Sequence, residues 1–280
     1  MRIPVCTVAT QRTYGEFLLL RYSLEKYHDC VWYIACDTFV SQKLKDTPHT
    51  NLLPLIDTDD CDHNVASVAK RKNFLNVVLT KFDACKKSIE DNGWALFLDA
   101  DMVFVNPIEE RVLDMMRHPG LDAIISPHMT NSPQIESQHG YYNVGMFVLR
   151  SVEMLEKWRT LSTNHQQYGL YYEQQPLEYI HRNFLTANFP INYNLGWWRF
   201  NLPQTQKRLT LLKSSGGRLC FGDLPAVNFH FHTLKDLDTE NYGKFLVDIV
   251  LNRLKTSKNE TYQQIYHKYK ELASENNSIK

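Results

Sequence analysis

The stretch Ala95-Leu96-Phe97-Leu98-Asp99-Ala100-Asp101-Met102-Val103-Phe104 decides how this chain is read. From Trp94 to Leu98 every residue is apolar, the mark of a strand buried on both faces of a sheet. Two carboxylates, one residue apart, close that run. An uncompensated carboxylate at a buried strand end is costly unless something cationic neutralises it, and a divalent metal does so most economically. In an extended segment alternate side chains share a face, so Asp99 and Asp101 are expected to converge on one ion, with Ala100 keeping the position between them small. Without a cation the same pair would be solvated or would cap the following turn.

Upstream, residues 3–9 form an apolar strand that ends at Thr10, and 14–27 carry apolar residues at helical spacing. A second apolar run over 30–36 is closed by Asp37. After an irregular stretch around Pro48 and Pro54, residues 65–89 are rich in helix formers and hold one long helix or two. Strand and helix alternating over the first 105 residues predict right-handed βαβ units, an α/β fold with a mainly parallel sheet. Ligands of such sheets collect at the carboxyl ends of strands, where Thr10, Asp37 and the Asp99/Asp101 pair all fall.

Downstream, Pro107 and Glu109 open a helix to 117, and strands are expected over 121–126 and 141–149. Helices are expected over 152–161 and 173–184. From 186 to 226 the chain is irregular and rich in aromatics, Pro and Gly, as long functional loops are. A last strand over 227–232 and helical residues 239–273 complete the pattern. With no internal repeat and no low-complexity linker, residues 1–280 read as a single domain.

The 31 basic and 31 acidic residues cancel, so no global field attracts nucleic acid or an anionic membrane. The 43% hydrophobic content suffices for a substantial core. Six cysteines without paired spacing are expected as free thiols in a reducing compartment. No export signal is expected from the first residues, and no run reaches the ~20 apolar residues that cross a bilayer. A cytoplasmic protein, or one domain of a longer chain, is the reading; oligomeric state stays open.

A metal at Asp99 and Asp101 makes a diphosphate the natural substrate group, since its oxygens would complete the shell of Mn²⁺ or Mg²⁺. Asn228-Phe229-His230-Phe231-His232 places two imidazoles on one strand face, and either His230 or His232 is the expected third ligand. Lys81 can place an ammonium near the diphosphate or can be an ordinary solvated lysine. Arg71, within Lys70-Arg71-Lys72, is the member of that basic cluster to test as a phosphate contact. Tyr14 can stack on a base, and Trp197 or Trp198 can offer an apolar platform to an acceptor sugar.

At this point the residues resemble a family. The chain is similar to the metal-dependent glycosyltransferases of the GT-A fold, a Rossmann-like architecture, and among them to the glycogenin and galactosyltransferase-like group. The likeness is an ordered series over about residues 3–235. Val8-Ala9-Thr10 with Tyr14 resembles the nucleotide-binding strand, Leu79-Thr80-Lys81 the lysine-bearing helix, and Phe97-Leu98-Asp99-Ala100-Asp101 the metal signature. Tyr142-Asn143-Val144-Gly145 resembles the Asn-x-Gly element beside the donor sugar, Glu173-Gln174 an Asp-Gln pair, and Tyr193-Asn194 a Tyr-Asn pair.

The resemblance implies transfer of a sugar from a nucleotide-diphosphate donor, a UDP-sugar, to a glycan or other hydroxyl acceptor, with retention. It divides the chain into a nucleotide-binding half (1–105), a donor and acceptor half (106–238) and C-terminal helices (239–280). It implies roles for Glu173 and Gln174 at the sugar, Asn143 and Gly145 beside it, Ala100 and Asp37 on the donor, and Lys235 as a phosphate contact. Two departures stand out: Glu173 replaces the family's Asp, and Thr233-Leu234-Lys235 follows the histidines where a Gly and a Lys often stand. An inverting enzyme with Glu173 as base, an aspartyl-phosphate phosphatase or mutase with Asp99 as nucleophile, and a non-catalytic nucleotide-sugar-binding module are the alternatives.

Overall fold

The computed structural model describes residues 2–56, 68–200, 206–231, 234 and 243–278, less the side chains of 68–72, 206, 243 and 276–278. The first half runs β1 (Ile3–Ala9), α1 (Tyr14–Glu25), β2 (Cys30–Asp37), α2 (Thr38–Leu44), β3 (Thr50–Ile56), α3 (Val68–Asn92), β4 (Ala95–Leu98) and β5 (Met102–Phe104). Then follow α4 (Glu110–Arg117), β6 (Ala123–Pro127), α5 (Pro133–His139), β7 (Tyr142–Leu149), α6 (Val152–Thr163) and α7 (Gln174–Ile180). Short strands β8 (Thr186–Asn188), β9 (Leu195–Gly196), β10 (Leu212–Ser215), β11 (Arg218–Phe221), β12 (Leu224–Pro225) and β13 (Asn228–His230) precede α8 (Gly243–Thr256) and α9 (Glu260–Ser278).

The main sheet has the order β3-β2-β1-β4-β7-β6-β8. Strands β3, β2, β1 and β4 are parallel, as the alternation predicts, and β7 enters antiparallel between β4 and β6. Both faces are covered, which is why these strands read as unbroken apolar runs. Val5, Ile34, Leu96, Leu98 and Met146 face α1 and α4 through Phe17, Leu20, Val112 and Met116. Cys6, Ala35, Phe97 and Phe147 face α3 and α6 through Phe82, Cys85, Leu155 and Trp158. Phe97 stacks on Phe147 at 4.9 Å, so the strand carrying the carboxylates is clamped to its antiparallel neighbour directly below them.

Two expectations change. The stretch around Pro48 and Pro54 contains β3, which tolerates Pro54 because it is the edge strand and owes no ladder hydrogen bond on its outer side. The 186–226 segment, expected irregular, holds β8 to β12, too short to show periodicity. The helical C-terminal region is two helices, and α9 starts where Asn259 Oδ1 accepts the backbone N–H groups of Thr261 and Tyr262.

A second small sheet, β5-β13-β9, leaves the main sheet just past the carboxylates. Its register sets Met102 opposite His230 and Phe104 opposite Asn228. The helices α8 and α9 back this layer through Leu246, Val250 and Ile265. None of the described helices is long and apolar enough to cross a membrane. Cys6, Cys30, Cys36, Cys85 and Cys220 are free thiols, as expected, and Cys61 lies outside the described residues.

Candidate active site

The two carboxylates do not sit on an extended segment. Strand β4 ends at Leu98, and Ala100 and Asp101 form a turn in which the Met102 N–H donates to the Asp99 carbonyl at 3.3 Å. Convergence therefore comes from this turn and not from strand alternation. Two backbone bonds anchor it: Asp99 N–H donates to Gly145 O at 2.8 Å, and Phe231 N–H donates to Asp101 O at 3.1 Å. The second joins residues 130 positions apart in the chain, because β13 pairs with β5 just beyond the turn.

The register carries His230 onto the carboxylates. Its Nε2 lies 3.2 Å from Asp101 Oδ1 and 3.6 Å from Asp99 Oδ2. One ligand atom from each of Asp99, Asp101 and His230 lies within 4.8 Å of the others, and no other such His, Cys, Asp or Glu trio occurs among the described residues. Two hard carboxylate oxygens and one imidazole nitrogen suit Mn²⁺ or Mg²⁺. The side chains of Asp99 and Asp101 keep 35% and 14% of their surface, so the trio opens on one side. Crowding by protein pushes the Asp99 carboxyl above the usual carboxylate range; Lys81 and His230 pull it back in part, while Asp101 and Glu173 push it further. A bound dication would favour the charged carboxylate that burial disfavours.

Gly145 makes room for this arrangement. A Cβ there would collide with His230 Cε1 and come within 2.6 Å of Asp99 Oδ2, so the position must be glycine for steric reasons and not for its dihedral angles. Gly145→Ala is expected to cost about 1–3 kcal/mol of stability by overpacking and to weaken Mn²⁺ binding. Urea unfolding and a metal titration on the purified variant check both; an unchanged metal affinity would show that the Asp99–His230 gap is not critical.

Lys81, on α3, is 3% exposed and its Nζ donates to Glu173 Oε1 at 3.0 Å. The ammonium also lies 4.9 Å from the centroid of the Phe97 ring. Burial would lower its pKa, but Glu173 and then Asp99 outweigh that, and it is raised overall. The solvated-lysine reading is thereby wrong, and the position expected to grip a diphosphate is committed to a buried carboxylate. Glu173 is held in turn by Trp158, whose Nε1–H donates to the Glu173 carbonyl at 2.8 Å. Gln174 opens α7 with its Nε2–H donating to the His139 carbonyl at 3.2 Å.

Asn143, expected beside the donor sugar, is 7% exposed and turned inward, bonded to Gly145, Asn194 and His128. Trp198 is not a surface platform either: it is 9% exposed, donates Nε1–H to the His128 carbonyl at 3.0 Å and meets His230 edge to face at 5.1 Å. Its bulk lies where Gly196 has no Cβ. Trp197 is half-buried against the layer backed by α8 and α9.

Thr10 and Asp37 end the neighbouring strands β1 and β2. Asp37 caps α2 by accepting Val40 N–H at 2.9 Å, and its other oxygen accepts Gln11 N–H at 2.6 Å. Tyr14 is half-buried, edge-on to Phe39 at 5.5 Å. In sheet order these ends lie beside that of β4, so the polar positions share one edge. His232, Lys235 and the Arg71 side chain lie outside the described residues. Sequence reasoning missed His128 altogether; its signal was a polar residue directly after an apolar strand.

The profile of the nucleotide-diphospho-sugar transferase family matches residues 27–209, about two thirds of the chain. The matched stretch contains the Asp99/Asp101 turn, and the fold adds β1 before it and His230 after it. No curated protein sequence matches significantly. The fold is similar to that of the galactosyltransferase LgtC, solved with donor and acceptor sugar analogues (12% identity, TM-score 0.54, 94% of this chain and 100% of that one). It is similar to the glycosyltransferase GlyE of Streptococcus pneumoniae TIGR4 (11% identity, TM-score 0.55), where all of this chain spans 64% of that one. A glycosyltransferase involved in glycosylating the major capsid of PBCV-1 is a further likeness (11% identity, TM-score 0.50, 89% of this chain and 100% of that one). A mixed, mainly parallel sheet of the GT-A type, a carboxylate-imidazole trio at its carboxyl edge and the family profile agree: the chain belongs to the nucleotide-diphospho-sugar transferase family.

Proposed function

We propose that the chain transfers a sugar from a UDP-sugar to a hydroxyl of a glycan or similar acceptor, with retention, using Mn²⁺ or Mg²⁺ held by Asp99, Asp101 and His230. The observation that carries this reading is the trio itself, two carboxylates and an imidazole converging at the carboxyl edge of the sheet. When bound, the cation supplies positive charge that offsets the charge developing on the departing diphosphate. Thr10 and Tyr14 would serve the nucleoside from either side of the turn that Asp37 holds at Gln11, and Trp197 would serve the acceptor. Family membership removes the aspartyl-phosphate alternative.

Retention is supported by the state of Glu173. An inverting enzyme needs a carboxylate free to take the acceptor proton. Glu173 is 7% exposed, ion-paired to Lys81 and fixed through its carbonyl, which suits accepting hydrogen bonds from sugar hydroxyls. The acceptor proton then passes to an oxygen of the leaving diphosphate.

A panel of nucleotide-diphosphate sugars, incubated with Mn²⁺, with Mg²⁺ or with EDTA, tests the proposal by release of the nucleoside diphosphate. Release from a UDP-sugar that depends on metal is expected, and proton NMR of the product is expected to show the donor's anomeric configuration. Full turnover in EDTA would remove the metal, an inverted product would remove retention, and donor binding without turnover over a broad acceptor panel would favour a binding module.

A further inference from the structure

We infer that His230 is a directed ligand: Asn194, backed by Asn143 and His128, fixes its ring so that Nδ1 carries a proton and Nε2 is the nitrogen offered to a cation shared with Asp99 and Asp101. The inference rests on the metal reading above for its purpose, but not for its evidence. That evidence is a hydrogen-bond chain whose direction two backbone groups determine.

At one end, His128 Nδ1 lies 2.9 Å from the Gly140 carbonyl, which can only accept, so the proton is on Nδ1 and Nε2 is an acceptor. Burial pushes the His128 pKa down to about 3, so this ring stays neutral at ordinary pH. Its Nε2 lies 3.3 Å from Asn143 Nδ2, which donates. In the middle, Gly145 N–H can only donate, and it does so to Asn143 Oδ1 at 3.0 Å. The same oxygen accepts from Asn194 Nδ2 at 2.9 Å. The Asn194 amide is thereby oriented, and its Oδ1 faces His230 Nδ1 at 3.0 Å. An amide oxygen accepts only, so Nδ1 must donate. With Nδ1 committed to Asn194, Nε2 is the nitrogen that faces the two carboxylates, at 3.2 Å and 3.6 Å, and the one whose lone pair a cation shared with them would take.

The backbone at Asn194 is built for this job. Its φ is +50°, a left-handed conformation that asparagine accepts more readily than most residues. The Asn194 N–H is secured by Asn228 Oδ1 at 3.1 Å, one strand position pair away from His230. Asn143, Asn194, His128 and His230 are all buried, so water does not compete for these bonds. A donor fixed on the far nitrogen sets ring orientation and raises ligand basicity, and loss of such a partner typically weakens metal affinity about 10–100-fold. Asn143 is therefore a positioning residue here.

The test has two arms. Long-range ¹H–¹⁵N correlation on the metal-free wild type, with the His230 signals assigned by their loss in H230Q, reads the tautomer without any variant having to fold. Recorded over a pH series, the neutral ring is expected as Nδ1–H; a neutral ring in the Nε2–H form overturns the relay whatever the metal does. In the second arm, Asn194→Gly removes the acceptor while allowing the positive φ, and Asn194→Asp restores an acceptor to Nδ1. The glycine variant is expected to lose the Nδ1–H preference and to bind Mn²⁺ about 10–100-fold more weakly by calorimetry, and the aspartate variant to regain the tautomer. A folded glycine variant with unchanged tautomer and affinity overturns the relay. A wild type in the Nδ1–H form that binds no Mn²⁺ supports the relay and rejects the metal reading instead.

Discussion

Asp101→Asn is expected to lower metal-dependent sugar transfer by about 10²–10⁴-fold, the loss of roughly 3–5 kcal/mol of charge stabilisation at the leaving diphosphate, while the protein stays folded. The substitution keeps the shape of the side chain and removes its charge. Asp101 Oδ1 is the carboxylate oxygen nearer to His230 Nε2, at 3.2 Å, so its charge lies at the centre of the trio. What Asp101 gives the fold is its carbonyl, which accepts Phe231 N–H, and an asparagine leaves that bond intact. Transfer rates at saturating Mn²⁺, with circular dichroism and urea unfolding as controls, decide the matter. A folded variant with normal metal-dependent turnover would show that Asp101 holds no catalytic metal.

Lys81→Met is expected to destabilise the protein by about 3–5 kcal/mol, because it leaves Glu173 as a buried charge without its cation. The side chains of Lys81 and Glu173 keep 4% and 10% of their surface, too little for water to replace the lost partner. Asp99, which the ammonium also stabilises, would feel the loss as well. Replacing both partners, Lys81→Met with Glu173→Met, is expected to recover most of that stability, since an apolar pair of similar volume desolvates without penalty. Urea denaturation of the wild type, the two single variants and the double variant gives the coupling energy directly. If the single variant unfolds like the wild type, the pair carries no buried charge worth counting. Activity would remain low in the double variant if Glu173 holds the donor sugar, which separates its structural and functional roles.

Much of this was legible beforehand. Strands β1, β2, β4 and β7 are apolar runs buried on both faces, and such runs announce themselves without knowledge of their neighbours. The Asp99/Asp101 pair was legible for the same reason: charge at the end of such a run is conspicuous. The short strands β5, β9 and β13, of two or three residues, were not legible as a separate sheet. Their pairing is set by partners far apart in the chain, β5 with β13 across more than 120 residues, and local pattern carries no trace of it. Lys81 illustrates the same limit. Its chemistry suggested a phosphate contact, and only packing shows that its charge is already engaged by Glu173.

The sequence by itself determined the parallel β-α half, the edge of the sheet where polar residues gather and the carboxylates that make a cation welcome there, because hydrophobic period and charge placement are local properties. Tertiary structure alone decided how those carboxylates converge, which occurs through a turn after β4, and that His230 faces them, which follows from the β5–β13 register. It also decided that Asn143 and Asn194 serve the histidine, since a hydrogen-bond direction depends on which donor meets which acceptor across strands far apart in the chain.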